Sequence, residues 1–264
     1  MYELLKQALD KEAGYEDKTN KAREFLQGMM LKIIFDRGAF DNLAFVGGTA
    51  LRVLFGLRRY SEDLDFSLIK KQGYLFKKLM KDLVFELEHY GFRVEAVPKE
   101  TNIVHSAMVK FPGLPESLGL SKMASQNLSI KLEIDTNPPG GWRSTLTPVT
   151  SSFVYAVKHF DLPSLYATKL HACFFRHYAK GRDFYDLVWY LGKKVTPNFT
   201  LLNNAIIQTE KKDLNIGPDN LKAFMARKME KIDFSGVRRD VERFLEDKKE
   251  LNLLNKDIIM QMLG

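Results

Sequence analysis

The chain has little of what stabilises secreted or membrane-bound proteins. Its 264 residues include one cysteine, Cys173, so neither an internal disulfide framework nor a cysteine-based zinc site is available. No apolar run approaches the roughly 20 residues needed to cross a bilayer. The segment 1–12 contains acidic residues and lacks the apolar region of a signal peptide. We therefore expect an intracellular, cytoplasmic protein that has no membrane partner.

A strong excess of one charge sign is also missing. The sequence has 40 Lys and Arg residues against 33 Asp and Glu, a net charge of +7, and 45% of its residues are hydrophobic. This composition argues against intrinsic disorder and allows a sizeable core in one large domain or two modest ones. Residues 1–150 carry a net charge of +2 and residues 151–264 one of +5. A polyanionic partner is therefore expected to meet the second half of the chain.

The apolar pattern divides the chain into a mixed α/β region and a helical region. Helices are predicted near 2–13, 20–37 and 72–90 and from Thr49 onward, and strands at 43–46, 63–68, 92–97, 105–111 and 128–135. Beyond about residue 155 helical patterns predominate, at 162–178, 182–191, 201–209, 220–231, 237–249 and 257–263. The expected architecture is an α/β domain of residues 1–155 with N-terminal helices, followed by a helical bundle domain of residues 156–264.

Two glycines separate the first predicted strand from the helix that follows it. Gly47 and Gly48 come directly after the apolar run Leu43–Val46, and Thr49 comes next. Paired glycines let the backbone approach a bulky anion, and the amides at the start of a helix direct partial positive charge toward it. The Thr49 hydroxyl can add a donor. A purely conformational role for such a turn is the alternative interpretation.

Two carboxylates alternate with apolar residues on the second predicted strand. Asp63 and Asp65 are expected to share one face of this strand, where they repel each other unless a cation lies between them. Mg²⁺ bound by one or two carboxylates and substrate phosphates is the usual solution, and a solvated strand face is the alternative. Glu133 and Asp135 alternate in the same way on a later strand. Either of them can complete a two-metal site, and we slightly favour Glu133.

Four ordered segments resemble the nucleotidyltransferase signature of the AbiEii/AbiGii toxin family, relatives of MenT within the DNA polymerase β-like superfamily. The first two are Gly47-Gly48-Thr49-Ala50-Leu51 and Arg59-x-Ser61-x-Asp63-Leu64-Asp65. The third runs from Leu162 to Arg176 and includes Lys169, and the fourth is Lys180-Gly181-Arg182-Asp183-Phe184-Tyr185-Asp186-Leu187. The matches span about residues 43–191, whereas residues 197–264 match no motif.

The resemblance implies a polymerase β-like mixed sheet flanked by helices and an enzyme that transfers a nucleoside monophosphate from an NTP. It implies that Mg²⁺ is held by Asp63, Asp65 and Glu133, with Glu133 or Asp135 helping to deprotonate or position the acceptor hydroxyl. The triphosphate would be bound by Gly47, Gly48, Thr49 and Ser61. Lys169 would neutralise phosphate oxygens, and Asp183 or Asp186 would orient Lys169 or Arg182 toward the nucleotide.

The resemblance also implies a biological context. The expected protein is the toxin of a type IV toxin–antitoxin or abortive infection pair, with a cognate antitoxin as partner and RNA such as tRNA as acceptor. The basic residues Lys169, Arg176, Lys180 and Arg182 are expected to face the nucleotide and its acceptor. Two alternatives remain, NTP-dependent modification of a protein hydroxyl and non-catalytic binding of nucleic acid. The clustered carboxylates argue against the second of these, because binding of a polyanion has no need of them.

Overall fold

The computed structural model describes residues 1–9, 14–123 and 125–263. Its Cα positions divide the chain into two compact units. Unit 1 comprises residues 1–55, 61–138 and 146–159, and unit 2 comprises residues 56–60, 139–145 and 160–264. Two short segments of the predicted α/β domain of residues 1–155, namely 56–60 and 139–145, therefore group with the later residues. None of the helices in the described ranges combines the length and the apolar character needed to span a bilayer.

In the described ranges the strands form a seven-stranded mixed sheet. They are β1 (Leu43–Val46), β2 (Leu64–Leu68), β3 (Glu95–Glu100), β4 (Val104–Pro112), β5 (Asn127–Asp135), β6 (Ser144–Thr150) and β7 (Val154–Phe160), in the spatial order β3-β4-β5-β2-β1-β7-β6. β2 is antiparallel to β1 and parallel to β5, while β7 is parallel to β1. The predicted strands at 43–46, 63–68, 105–111 and 128–135 are thus confirmed, apart from small shifts of their ends.

Helices of unit 1 pack against its strands. They are α1 (Tyr2–Ala8), α2 (Tyr15–Asp36), α3 (Gly47–Phe55), α4 (Phe76–His89) and the short α5 (Leu114–Ser117). α2 buries Phe25, Leu26, Met29 and Met30, which belong to the same hydrophobic cluster as the buried face of β5. On β5 the apolar residues are buried and the intervening polar residues are half-exposed, as alternation predicts. The expected helix near 2–13 is described up to Ala8, and residues 10–13 of that prediction lie outside the described residues.

Two strands, β6 and β7, were not predicted from the sequence. β6 lies at an edge of the sheet, is largely exposed and contains Pro148, so it lacks the alternation that identifies a half-buried strand. β7 is an inner strand, and its pattern of apolar residues is interrupted by the buried His159. The His159 ring forms a 2.8 Å hydrogen bond with Thr147 Oγ1. The helical region therefore begins at Leu162, and the expectation of helices from about residue 155 was wrong for this strand.

Unit 2 is a bundle of helices. They are α6 (Leu162–Phe175), α7 (Gly181–Gly192), α8 (Phe199–Glu210), α9 (Pro218–Met229), α10 (Phe234–Val241) and α11 (Lys256–Met262), with two 3₁₀ segments at Glu242–Phe244 and Lys248–Leu253. α6 begins where the Asp161 side chain accepts a 2.9 Å hydrogen bond from the Ser164 amide. α7 packs against α6, α10 and α11, and α8 packs against α6. The mixed sheet with its flanking helices, followed by a helical bundle, confirms the predicted fold class.

Candidate active site

Gly47 forms a close contact with the carboxylate of Asp65. β1 ends at Val46, which pairs with Asp65 on β2, and Gly47 then starts α3 with a φ of +79°. A Cβ atom at Gly47 would lie 2.4 Å from Asp65 Oδ2. A side chain at this position would therefore both strain the backbone and displace the carboxylate.

Thr49 and Ser61 form hydrogen bonds inside unit 1. Both side chains are buried, and a 2.8 Å hydrogen bond joins their hydroxyl oxygens. The Thr49 hydroxyl also donates to the backbone carbonyl of Asp63, and Gln27 Nε2 donates to the Ser61 carbonyl at 3.0 Å. These contacts fix the segment that leads into β2 and thereby place Asp63. The sequence assigned the two hydroxyls to the triphosphate and gave no sign of this positioning role, because their partners lie 12 to 34 residues away.

The parallel register of β2 and β5 places carboxylates side by side. Asp65 is opposite Glu133, and Ser67 is opposite Asp135. Asp63 immediately precedes β2, two residues before Asp65, so its side chain shares the Asp65 face. Asp135 lies about 7 Å further along the strand than Glu133, by the usual rise of two residues. Glu133 is therefore the later carboxylate in register with Asp65.

Asp135 has a different environment from Glu133. Its carboxylate accepts a 2.9 Å hydrogen bond from the Asn137 amide at the end of β5. Burial raises the pKa of Asp135 above its ordinary value of 3.8, and the Asn137 hydrogen bond acts in the opposite direction. Through this hydrogen bond, Asp135 stabilises the backbone conformation of the residues that follow β5.

Lys131 lies among the carboxylates of this face. Its Nζ atom is 2.8 Å from Glu133 Oε1. The hydrogen bond from Lys131 to Glu133 raises the pKa of Lys131 above its ordinary value against the effect of partial burial, and the charges of Glu133, Asp63 and Asp65 act in the same direction. The sequence showed only that Lys131 shares a strand face with Glu133, so its electrostatic link to Asp63 and Asp65 was missed.

The strand face that carries Asp63, Asp65 and Glu133, called the carboxylate face below, has the type of donor atoms that a magnesium ion prefers. Within the described ranges, no three His, Cys, Asp or Glu side chains are arranged as a preformed metal centre. Mg²⁺ commonly binds one or two carboxylates, while water and substrate phosphates complete its coordination. Asp63, Asp65 and Glu133 carry carboxylate oxygens, the ligand type that this ion prefers, and the Asp65 carboxylate lies against the Cα atom of Gly47.

A buried charge cluster occupies unit 2. Lys169 Nζ lies 2.7 Å from Asp183 Oδ1 and 2.8 Å from Asp186 Oδ2. Arg59 donates two hydrogen bonds, of 2.6 and 2.7 Å, to the two oxygens of Asp186, and Arg176 Nη1 lies 2.8 Å from Asp183 Oδ2. Arg59 and Asp186 are almost completely buried. The role of Arg59 was missed in the sequence, because its partner lies 127 residues further along the chain.

The partners in this cluster keep each other charged. Burial lowers the pKa of Lys169, but the charges of Asp183 and Asp186 more than offset burial and raise the pKa above its ordinary value of 10.5. Burial raises the pKa of Asp183, but the charges of Lys169 and Arg176 outweigh it and hold the pKa below 3.8. Asp183 and Asp186 thus both contact Lys169, and the expectation that one of them orients Lys169 or Arg182 toward a nucleotide stays a prediction. The Arg182 guanidinium lies 4.5 Å from the centre of the Phe244 ring.

The mixed sheet, with its carboxylates next to a Gly-Gly turn, and the helical unit with its Lys–Asp cluster are consistent with a polymerase β-like nucleotidyltransferase fold. Residues 30–256 match the family described as "Nucleotidyl transferase AbiEii toxin, Type IV TA system". The chain therefore belongs to this family of toxins and is an enzyme of the nucleotidyltransferase class.

Among the solved structures with similarity to this chain, JHP933 agrees with the fold. JHP933 from Helicobacter pylori superposes with a TM-score of 0.53 at 21% identity, over 97% of this chain and 93% of that chain. A second H. pylori protein, described as an inferred nucleotidyltransferase, superposes with a TM-score of 0.47 at 19% identity, over 91% of this chain and 92% of that chain. A chain of the GLD-2/RNP-8 complex gives 0.28 at 16% identity, over 96% and 81%. No curated protein matches the sequence.

Proposed function

We propose that this enzyme transfers a nucleoside monophosphate from an NTP to a hydroxyl of RNA, such as tRNA, and that it uses Mg²⁺ as cofactor. In this proposal it is the cytoplasmic toxin of an abortive infection system and is neutralised by a cognate antitoxin. The observation that carries the proposal is the register of Asp65 with Glu133 on parallel strands, directly beside Gly47.

The carboxylate face of unit 1 is proposed to bind the metal and to orient the acceptor. Asp63 and Asp65 would hold Mg²⁺ together with the triphosphate, and Glu133 would be the third ligand. When bound, the ion supplies charge neutralisation at the phosphates and favours the ionised form of the acceptor hydroxyl. The backbone amides of Gly47 and Gly48 contribute donors for phosphate oxygens.

Thr49 and Ser61 take part in this proposal through the hydrogen bonds that they form in unit 1. Their hydroxyls bond to each other, and Thr49 holds the carbonyl of Asp63. Any phosphate contact by these hydroxyls is additional to that role. Asp135, whose carboxylate is bound by the Asn137 amide, is the second candidate for positioning the acceptor hydroxyl.

The charge cluster of unit 2 is proposed to supply the fixed positive charge of the reaction. An ammonium group has three donors, and Asp183 and Asp186 accept two from Lys169, which leaves a third for a phosphate oxygen. The pKa of Lys169 is raised, so the group carries its charge at neutral pH. Asp183 holds Lys169 in place, and Arg182 is proposed as a further nucleotide contact.

An RNA acceptor is supported by the distribution of charge. Residues 151–264 carry a net charge of +5, whereas residues 1–150 carry +2. Phosphate contacts by Lys and Arg dominate the affinity of proteins for nucleic acids. A protein hydroxyl as acceptor would use the same carboxylates, so the two acceptors are distinguished by the product that carries the label.

The test is transfer from an NTP labelled at the α-phosphate, in a mixture of cellular RNA and protein. We expect label on RNA and release of pyrophosphate. Asp63→Asn and Asp65→Asn are each expected to lower the rate of transfer by about 10²-fold or more, because they remove preorganised charge at the reacting phosphate. Asp41→Asn, an exposed acid of the same unit, is the matched control and keeps full activity. Label on protein would replace the RNA proposal, and unchanged transfer by Asp65→Asn would refute the proposed site.

A further inference from the structure

Lys131 is a positive charge inside the proposed metal site. It precedes Glu133 by two residues on β5, and the two side chains form an ion pair of 2.8 Å. Leu64 pairs with Leu132, so Asp63 and Lys131 are the residues immediately before this pair on two parallel strands. The ammonium group thus belongs to the same strand face as the three carboxylates.

The positive charge of a lysine in this position reduces the repulsion between the carboxylates, as a bound metal ion would. The charges of Asp63, Asp65 and Glu133 repel one another when they share one face, and a cation among them lowers that repulsion. Lys131 engages the Glu133 oxygen atom Oε1, which is a possible ligand atom for a divalent ion. A metal ion and the Lys131 ammonium therefore compete for Glu133 and repel each other.

We propose that Lys131 is an internal counter-ion of the carboxylate face, and that it leaves Glu133 when a divalent cation binds and thereby sets the cation affinity of the site. This inference rests on the proposed function, because it requires that Asp63 and Asp65 bind the metal. It implies that the divalent cation binds together with the NTP and not before it. The cation alone binds weakly against the lysine, and it binds well when the NTP triphosphate contributes further negative charge and ligands.

The side chain of Lys131 can make this movement. The side chains of Lys131 and Glu133 retain 41% and 33% of their accessible surface, so neither is locked by packing. Four flexible methylene groups let the ammonium move several ångströms without any change in the strand. In contrast, the backbone register that holds Asp65 beside Glu133 stays fixed.

The probe is Mn²⁺ alone, titrated into the purified full chain without nucleotide and measured by electron paramagnetic resonance of the free ion. We expect Lys131→Met to lower the Mn²⁺ Kd about five- to tenfold, from the removal of one nearby positive charge. Lys131→Arg keeps the charge and is expected to stay within about twofold of the wild type. Lys81→Met, which removes an exposed lysine from α4 of the same unit, is the matched control and leaves the Kd unchanged.

Thermal unfolding provides a second readout that keeps the inference testable. Without metal, Lys131→Met exposes the repulsion of the carboxylates and lowers Tm, and saturating Mn²⁺ is expected to restore Tm to the value of the metal-bound wild type. If the methionine variant does not fold, Lys131→Gln is used in its place. An Mn²⁺ Kd for these variants that equals or exceeds the wild-type value would overturn the inference.

A parallel titration separates this inference from the proposed function. Asp65→Asn is expected to weaken Mn²⁺ binding at least about tenfold, since it removes one of the few charged ligands. If Asp65→Asn binds Mn²⁺ as well as the wild type, the proposed metal site itself is wrong. If Asp65→Asn loses affinity while Lys131→Met matches the wild type, the metal site stands and only the counter-ion role fails.

Discussion

At the scale of single residues, a missing side chain shapes the carboxylate face. Gly47 has a φ of +79°, a value that side-chain-bearing residues rarely adopt, and its Cα faces the Asp65 carboxylate. Backbone strain and steric displacement are two separate effects at this position. Gly38 separates them experimentally, because it has a φ of +68° and a Cβ atom added to it would meet nothing within 4 Å among the described residues.

We predict that Gly47→Ala lowers kcat/KM for pyrophosphate release by about 10²-fold, because displacement of a reacting group by about 1 Å has an effect of this size. Gly38→Ala and Gly47→Ala are both expected to lower the free energy of unfolding by about 1–2 kcal/mol, because alanine is strained in the left-handed backbone conformation. Gly38→Ala is expected to keep its activity. Urea unfolding and steady-state kinetics of both variants provide the measurement. Equal activities of the two variants would contradict the proposed role of the Asp65 contact.

The Lys169–Asp183 pair predicts a pH dependence of stability. The pKa of Asp183 is lowered in the folded protein, so its stabilising effect is fully present above 3.8 and is lost as the pH falls through the lower folded value. Asp183→Asn is expected to cost about 3 kcal/mol at pH 7, because it removes one charge from a buried pair. This difference from the wild type should shrink as the pH falls below about 4, because the Asp183 carboxyl of the unfolded chain then binds a proton before that of the folded protein does.

The measurement is urea unfolding of the wild type and Asp183→Asn between about pH 7 and pH 3. Asp219→Asn, an exposed acid at the start of α9, is the control and follows the wild-type curve. A constant difference between wild type and Asp183→Asn over this range would show that the Asp183 charge does not stabilise the fold.

At the scale of secondary-structure elements, Gly181 explains how two helices approach each other. It begins α7, and a Cβ atom there would lie 2.1 Å from the carbonyl oxygen of Val237 and 2.8 Å from the Val241 nitrogen, both on α10. Its amide donates a 2.6 Å hydrogen bond to Asp240 of α10. In the sequence Gly181 was only a member of the fourth motif, and its role in packing depends on α10, more than 50 residues later.

Gly181→Ala is predicted to destabilise the protein by about 1–3 kcal/mol, since an overpacked contact against rigid backbone must open. Gly140→Ala is the matched control in unit 2, because nothing in the described part of the chain lies within 4 Å of its Cβ position, and it should stay within about 0.5 kcal/mol of the wild type. Chemical denaturation of the two variants tests the contact. The close approach of α7 and α10 would lose its support if both variants had the same midpoint.

The strands show which elements local patterns can identify. β5 was predicted because Leu128, Ile130, Leu132 and Ile134 alternate with polar residues, and this alternation matches one buried face. β6 was missed because an edge strand needs no buried face. Both edge strands contain proline, Pro98 in β3 and Pro148 in β6, which discourages pairing with another chain.

At the scale of the whole molecule, the surplus of positive charge belongs to the later part of the chain. Residues 151–264 carry +5 of the net +7. Lys169 is buried and engaged by two carboxylates, whereas Arg176 keeps 37% of its side-chain surface exposed beside Asp183. Exposed surplus charge of this kind attracts a polyanion through release of its counterions.

We predict that the KM for an RNA acceptor rises by about tenfold or more between about 50 and 200 mM salt, as expected when several phosphates are contacted. The KM for the NTP should change much less, because fewer charges are neutralised and Mg²⁺ shares them. Transfer assays at several salt concentrations provide both values. An acceptor KM that does not depend on salt would exclude electrostatic binding of RNA.

Local signals in the amino-acid sequence were sufficient to predict the fold class and the family, while the site residues that they indicate stay predictions. Alternation revealed β5 and the Asp63–Asp65 pair, and the four motifs identified the AbiEii family, because these signals depend on residues close together in the chain. Sequence could not choose between Glu133 and Asp135, since both occupy the same strand face.

Contacts between residues that are distant in the chain depend on the three-dimensional fold. The parallel register of β2 and β5 set Glu133 opposite Asp65, and long-range contacts joined Arg59 to Asp186 and Thr49 to Asp63. Register and burial depend on how separate elements pack, and no local pattern contains that information. For the same reason, the position of Lys131 near Asp63, on which the proposed counter-ion role rests, follows from the pairing of β2 with β5.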